Sequence, residues 1–128
     1  MTDRPRLLVA DDYPENRRLF SVYLRKVYDV VAVSSGEEAV EQLQTTPVVA
    51  ALLDINYQGG MSGYDVVRWI RGDARLAALP TVALTAHASP EDRRQCLEAG
   101  FDDYLSKPVT RAEMLASLAA LIARDVAA

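Results

Sequence analysis

Short apolar runs alternate with amphipathic stretches along the whole chain. Arg6 to Ala10 is an apolar run that stops at Asp11 and Asp12, as a buried strand does when it enters a loop. Pro14 then stands where proline is tolerated, in the first turn of a helix. Phe20, Tyr23, Leu24 and Val27 recur at helical spacing and put one apolar stripe on that helix. Val30, Val31 and Val33 make a second, β-branched strand. Ser34 to Glu38 then supplies N-cap candidates and acidic first-turn residues for a helix over roughly Gly36 to Gln44.

The second half repeats the alternation. Pro47 precedes a third strand, Val48 to Leu53, which again runs into an aspartate, Asp54. A glycine-rich loop, Asn56 to Gly63, leads to a helix with Tyr64, Val67 and Ile70 on one side, and Pro80 introduces a strand over Thr81 to Leu84. Ser89, Pro90, Glu91 and Asp92 read as an N-cap, a proline at N1 and first-turn acids, and Gly100 closes that helix. A short strand, Asp103 to Leu105, leads to Lys107 and Pro108. Thr110 to Glu113 has capping-box spacing and opens a last helix with Met114, Leu115, Leu118, Leu121 and Ile122 inward. Strands that are apolar throughout, separated by amphipathic helices, imply a parallel sheet covered on both faces. With right-handed crossovers, the predicted fold is α/β: a doubly wound five-stranded parallel sheet with five helices, a flavodoxin-like (βα)5 sandwich.

Composition narrows the class without changing that picture. The 128 residues suit one domain, 1–128, with a core over about 6–122, and 50% apolar with 25% charged residues is ordinary for a globular protein. No apolar run is long enough to span a bilayer, and the positively charged N-terminus runs into only four apolar residues, Leu7 to Ala10, before Asp11. The expectation is therefore a cytoplasmic protein with no signal peptide and no membrane contact. A single cysteine, Cys96, excludes an intrachain disulfide and a cysteine-rich zinc site, and reads as a small apolar residue on a helix face. A net charge of −4 argues against direct nucleic-acid binding through a broad basic field. The basic residues are nearly all arginine, which singles out Lys107.

In doubly wound sheets the functional site lies at the carboxyl ends of the strands. Those ends deliver Asp11 and Asp12, Asp54, Thr85 and Lys107, which are scattered in sequence but predicted to converge. Three carboxylates brought together repel unless a cation is present, and a hard dication such as Mg²⁺ prefers such oxygen ligands. The alternative for Asp11 and Asp12, capping the helix that starts near Pro14, explains one aspartate better than two. Asp54 is either a third metal ligand or a nucleophile that forms an aspartyl phosphate. Phosphoryl transfer to a carboxylate needs little beyond alignment and charge neutralisation, which Mg²⁺, the Lys107 ammonium and the Thr85 hydroxyl would supply. The plain readings are that Thr85 is a strand residue and Lys107 a solvated lysine.

Four segments carry a resemblance: Arg6 to Asp12, Leu52 to Asp54, Val82 to Ala86, and Ala99 to Pro108. In that order and spacing, over about Arg6 to Ile122, the chain resembles the receiver domains of two-component response regulators. The resemblance implies a phosphorylation-dependent signalling switch in which Asp54 takes a phosphoryl group from a histidine kinase or histidine phosphotransfer protein. It further implies Mg²⁺ held by Asp11, Asp12, Asp54 and the backbone carbonyl of Asn56. Thr85 and Lys107 would contact the phosphoryl group, and the Lys107–Pro108 bond would be cis. Tyr104 resembles the aromatic switch residue that moves inward when Thr85 is drawn to the phosphoryl group; its plain alternative is an aromatic packed permanently on the helix from Pro90 to Gly100. His87 occupies a place that modulates hydrolysis of the aspartyl phosphate, or is simply an exposed loop residue.

The loop after Asp54 looks one residue longer than usual and lacks the usual proline, which leaves the path of Gln58 to Met61 open. An unknown downstream protein is expected on the face of the last two helices and last strand, with the chain a monomer or a phosphorylation-dependent dimer. A stand-alone receiver is the leading expectation, with a receiver module of a hybrid kinase or longer regulator as its open alternative. A competing class is a Mg²⁺-dependent small-molecule phosphohydrolase. Such enzymes usually place a second acid two residues after the nucleophile, where this chain has Asn56. A pseudo-receiver acting only as a binding module is disfavoured by the complete acid, threonine and lysine set.

Overall fold

A computed structural model of the chain describes residues 4–55, 60–86 and 89–127. The elements follow the expected alternation: β1 (Arg6–Ala10), α1 (Pro14–Leu24), β2 (Asp29–Val33), α2 (Gly36–Thr45), β3 (Ala50–Asp54), α3 (Gly63–Gly72), β4 (Thr81–Thr85), α4 (Pro90–Ala99), β5 (Asp103–Ser106) and α5 (Arg111–Ala127). All strand pairs are parallel and the sheet order is β2-β1-β3-β4-β5. The doubly wound prediction therefore holds.

Successive strand residues point to opposite faces, so one apolar run serves two cores. Leu8, Ala10, Ala51, Leu53 and Ala83 face a core completed by α2, α3 and α4, where Leu43, Val67, Ile70 and Cys96 are buried. Leu7, Val9, Leu52, Val82 and Leu84 face the other, closed by Phe20 and Leu24 of α1 and Met114, Leu118 and Leu121 of α5. Each fully buried leucine contributes about 1.5–3 kcal/mol of transfer free energy. Helix starts are specified locally. Oγ of Ser89 accepts from the Asp92 amide at 3.1 Å with Pro90 at N1, and Thr110 and Glu113 form the reciprocal capping box at 3.1 and 3.0 Å.

Several boundaries moved. The apolar stripe of α1 does not extend to Val27, because the helix ends at Leu24 and Val27 is 43% exposed. The amide of Tyr28 instead donates to the Leu24 carbonyl at 2.9 Å, and this turn buries Tyr28 where a longer helix would have placed Val27. Strand β3 begins at Ala50 rather than Val48, since the ladder starts with Leu7 opposite Ala50. Strands β4 and β5 each run one residue further, to the paired Thr85 and Ser106. On α3 the buried side includes Val66 beside Val67 and Ile70, while Tyr64 is only half-buried.

At the amino end of the sheet Arg71 ties three segments together. Its guanidinium donates to the carbonyls of Gly100, Ala77 and Leu79 at 2.9, 3.0 and 2.7 Å, and to Thr81 Oγ1 and Asp102 Oδ2 at 2.8 Å each. Every N–H of the side chain thus has an acceptor.

Candidate functional site

Burial of a polar side chain inside an all-apolar strand is costly unless it has partners. Asp54 ends β3 and is only 4% exposed, Asp11 follows β1 at 0%, and Thr85 ends β4 and is also buried. Asp12 is half-buried beside them. Each of Asp11, Asp12 and Asp54 offers a carboxylate oxygen, and these oxygens lie within 4.8 Å of one another.

Lys107 reaches into this group from the residue after β5. Its Nζ donates to Asp54 Oδ2 at 2.9 Å and to Asp11 Oδ2 at 3.0 Å, with the side chain 20% exposed. Burial works to lower the pKa of the ammonium, but the hydrogen bonds and charges of Asp54 and Asp11 outweigh it and hold the value above the ordinary 10.5. Lys107 is therefore a cation at neutral pH. It is not the solvated surface lysine of the plain reading. Against one ammonium, three carboxylates leave an excess of negative charge that suits a hard dication with oxygen ligands.

The carboxylate of Asp11 also shapes the loop. Its Oδ1 accepts from the Tyr13 amide at 2.9 Å, and Asn16 Nδ2 lies 3.3 Å from Oδ2. Arg17 Nη1 donates to the Asp11 backbone carbonyl at 2.9 Å. The capping alternative is thus partly right for Asp11, although the N-cap of α1 is Tyr13, whose side chain makes no cap. Asn16 and Arg17 were not anticipated, because they meet Asp11 only after α1 folds back along β1.

The carboxyl end of β3 is held from behind by α3. The Gly63 amide donates to the Ile55 carbonyl at 2.9 Å, and a Cβ at position 63 would run into the Asp54 carbonyl oxygen. Ser62 and Asp65 form a capping box at this helix start, at 3.2 and 2.9 Å. On the neighbouring strand the Thr85 carbonyl accepts from the Lys107 amide at 2.7 Å, and the Lys107–Pro108 bond is cis. Tyr104, opposite Ala83 on β5, is half-buried against the core that includes α4. Burial, then the charges of Asp92 and Cys96, raise its phenol pKa. Asn56, expected to lend its carbonyl to the metal, and His87, expected to modulate hydrolysis, lie outside the described residues, as does Gln58.

The sheet topology and its acidic carboxyl edge with a paired lysine define an α/β protein of the receiver class. The model of the response regulator receiver domain family matches residues 7–119, and the chain belongs to that family. It is 38% identical over 119 residues to the transcriptional regulatory protein GltR of Pseudomonas aeruginosa, covering 92% of this chain and 49% of GltR. The chain spans about half or less of the length of the curated relatives it matches. Its structure superposes on a protein of Chloroflexus aurantiacus J-10-fl with a TM-score of 0.90 at 29% identity, covering 95% of this chain and 100% of that one. It is also similar to the receiver domain of sensor histidine kinase PA1611 from Pseudomonas aeruginosa PAO1, at TM-score 0.86 and 35% identity, covering 94% and 98%. That structure has a magnesium ion coordinated in the active-site cleft. Family membership makes the chain a part of two-component, phosphorylation-based signalling and does not favour the phosphohydrolase alternative. Among the described residues no helix is long and apolar enough to cross a membrane.

Proposed function

We propose that Asp54 is the phosphoacceptor of a signalling switch, charged by a histidine kinase or a histidine phosphotransfer protein. The observation that carries this reading is the Lys107 ammonium, hydrogen-bonded at once to Asp54 and Asp11 inside a cluster of three carboxylates. An oxygen of the Asp54 carboxylate attacks the phosphorus of the donor phosphohistidine. The new O–P bond forms as the P–N bond breaks, and the electron pair leaves on the imidazole nitrogen, which ends protonated by solvent.

Lys107 turns from Asp54 toward a phosphoryl oxygen as that charge develops, and the Thr85 hydroxyl takes another. Asp11 and Asp12, with Asp54 and the carbonyl of Asn56, form the ligand set for Mg²⁺. The ion, when bound, neutralises the carboxylates and the transferring group. The all-oxygen donor set and the magnesium ion in the PA1611 receiver support this assignment.

The aspartyl phosphate adds roughly −1.5 to −2 charge, and drawing Thr85 toward it opens space into which Tyr104 moves. The face of α4, β5 and α5 then presents a changed surface to a downstream protein, with a monomer or phosphorylation-dependent dimer as the working state. His87 modulates the lifetime of the phosphoryl group. We place this single domain in the cytoplasm, without direct nucleic-acid or membrane binding, where kinase and phosphotransfer partners act. Incubation with Mg²⁺ and acetyl phosphate or phosphoramidate, followed by intact mass, tests the central claim. A phosphate adduct in the wild type that Asp54→Asn abolishes supports it; no adduct despite Mg²⁺ binding sinks it, and steady turnover of phosphomonoesters would point to the hydrolase instead.

A further inference from the structure

Glu37, in the first turn of α2, is joined to a loop that belongs to another element. Its Oε2 accepts the Met61 amide at 2.9 Å, across twenty-four positions of sequence. The neighbouring residues show that the contact is built into the packing. Gly60 takes a left-handed φ of +68°, and a side chain there would run into the Glu37 carboxylate. At Gly36, a Cβ would sit 2.7 Å from the Met61 carbonyl oxygen and 2.9 Å from its Cβ. Two glycines and one carboxylate therefore let α2 close on Gly60–Met61.

From Met61 the chain reaches the acidic cluster in two residues. Ser62 caps α3, and Gly63 donates to the Ile55 carbonyl while abutting the carbonyl of Asp54. A displacement of Met61 is thus passed through a capped helix start to the peptide that carries the Asp54 carboxylate.

We infer that Glu37 is a positioning residue for the phosphoacceptor site: its carboxylate tethers the β3–α3 connection and thereby sets the divalent-cation affinity of the Asp11, Asp12 and Asp54 cluster. The inference rests on reading that cluster as a Mg²⁺ site. Glu37 acts on the cluster through Met61 and the start of α3. Its action is mechanical, through a side-chain oxygen that accepts a backbone N–H.

Isothermal titration of the purified protein with MgCl₂ tests this directly, with thermal melting in EDTA as a parallel measurement. Glu37→Ala is expected to weaken Mg²⁺ about three- to tenfold, a smaller effect than the 10–100-fold typical of residues bonded to a metal ligand. Glu37→Gln keeps a carbonyl oxygen at the same reach without the charge, and is expected to stay within about twofold of wild type. Gly60→Ala, which pushes against the carboxylate, is expected to weaken Mg²⁺ as Glu37→Ala does. If Glu37→Ala binds Mg²⁺ as tightly as wild type, whatever its melting temperature, the positioning role is overturned. Equal weakening in Glu37→Gln and Glu37→Ala would also overturn it, since charge rather than the tether would then be responsible. A wild-type protein that binds no Mg²⁺ would instead overturn the metal-site reading, and the inference with it.

Discussion

Gly63 lies so close to Asp54 that any side chain at position 63 would collide with the Asp54 carbonyl oxygen. The helix start and the end of the buried strand are one packed unit, closed by the hydrogen bond from Gly63 to Ile55. Alanine in place of glycine inside a helix ordinarily stabilises by about 0.5–1 kcal/mol. Gly63→Ala should do the reverse and cost about 1–3 kcal/mol by overpacking, as read from urea unfolding. A stabilised variant would show that the contact yields without strain.

The Lys107 ammonium separates Asp11 from Asp54 electrostatically while binding both. Replacing it with methionine leaves like charges facing one another in a mostly buried setting. In metal-free buffer Lys107→Met should lose about 1–3 kcal/mol, reduced by the partial exposure of the site. Mg²⁺ should then stabilise the variant more than it stabilises wild type, because a dication takes over the neutralising role. Paired urea melts in EDTA and in MgCl₂ provide the comparison, and identical Mg²⁺ gains would count against the proposed ligand set.

At the opposite end of the sheet, Arg71 occupies all its donors on backbone and side-chain oxygens around Thr81 and Asp102. Lysine cannot reproduce that planar fork. Arg71→Lys should therefore cost about 2–4 kcal/mol through stranded acceptors, with Mg²⁺ affinity unchanged in the folded fraction. A loss of Mg²⁺ affinity without a loss of stability would contradict a purely architectural role.

Tyr64 gives the fold an alkaline limb. Burial, and then its contact with Cys96, push its phenol from 10.0 to about 12. Because the folded state keeps the proton longer than the unfolded chain, the stabilisation is complete below pH 10.0 and is lost as pH approaches 12. Tyr64→Phe should lose less stability over that interval than wild type, and a late-titrating tyrosinate absorbance should vanish. An unchanged absorbance titration would assign the late ionisation to another tyrosine.

Much of the site was legible because strand ends carry it. Asp11, Asp12, Asp54, Thr85 and Lys107 could be picked out as residues that follow apolar runs, and all five now stand at the carboxyl edge of one sheet. Asn16, Arg17 and Glu37 could not be picked out in that way. Each looks like an ordinary polar residue in a helical first turn, and each acquires its contact only when that helix packs against a loop remote in sequence or against the strand before it. Val27 shows the converse error, a residue that fits a helical period beyond the point where the chain has turned away.

By itself the sequence determined the alternation of strands and helices, most caps and the two-faced burial of the strands. Those features depend on periodicity and on hydrogen bonds spanning a few residues. Tertiary structure alone decided that Lys107 bonds to Asp11, ninety-six positions away, and that Gly63 presses on the peptide of Asp54. Such contacts depend on lateral strand order and helix docking, which minimise exposed apolar surface across the whole chain. The acidic edge can be read from residues; the single geometry in which Asp54 is held cannot.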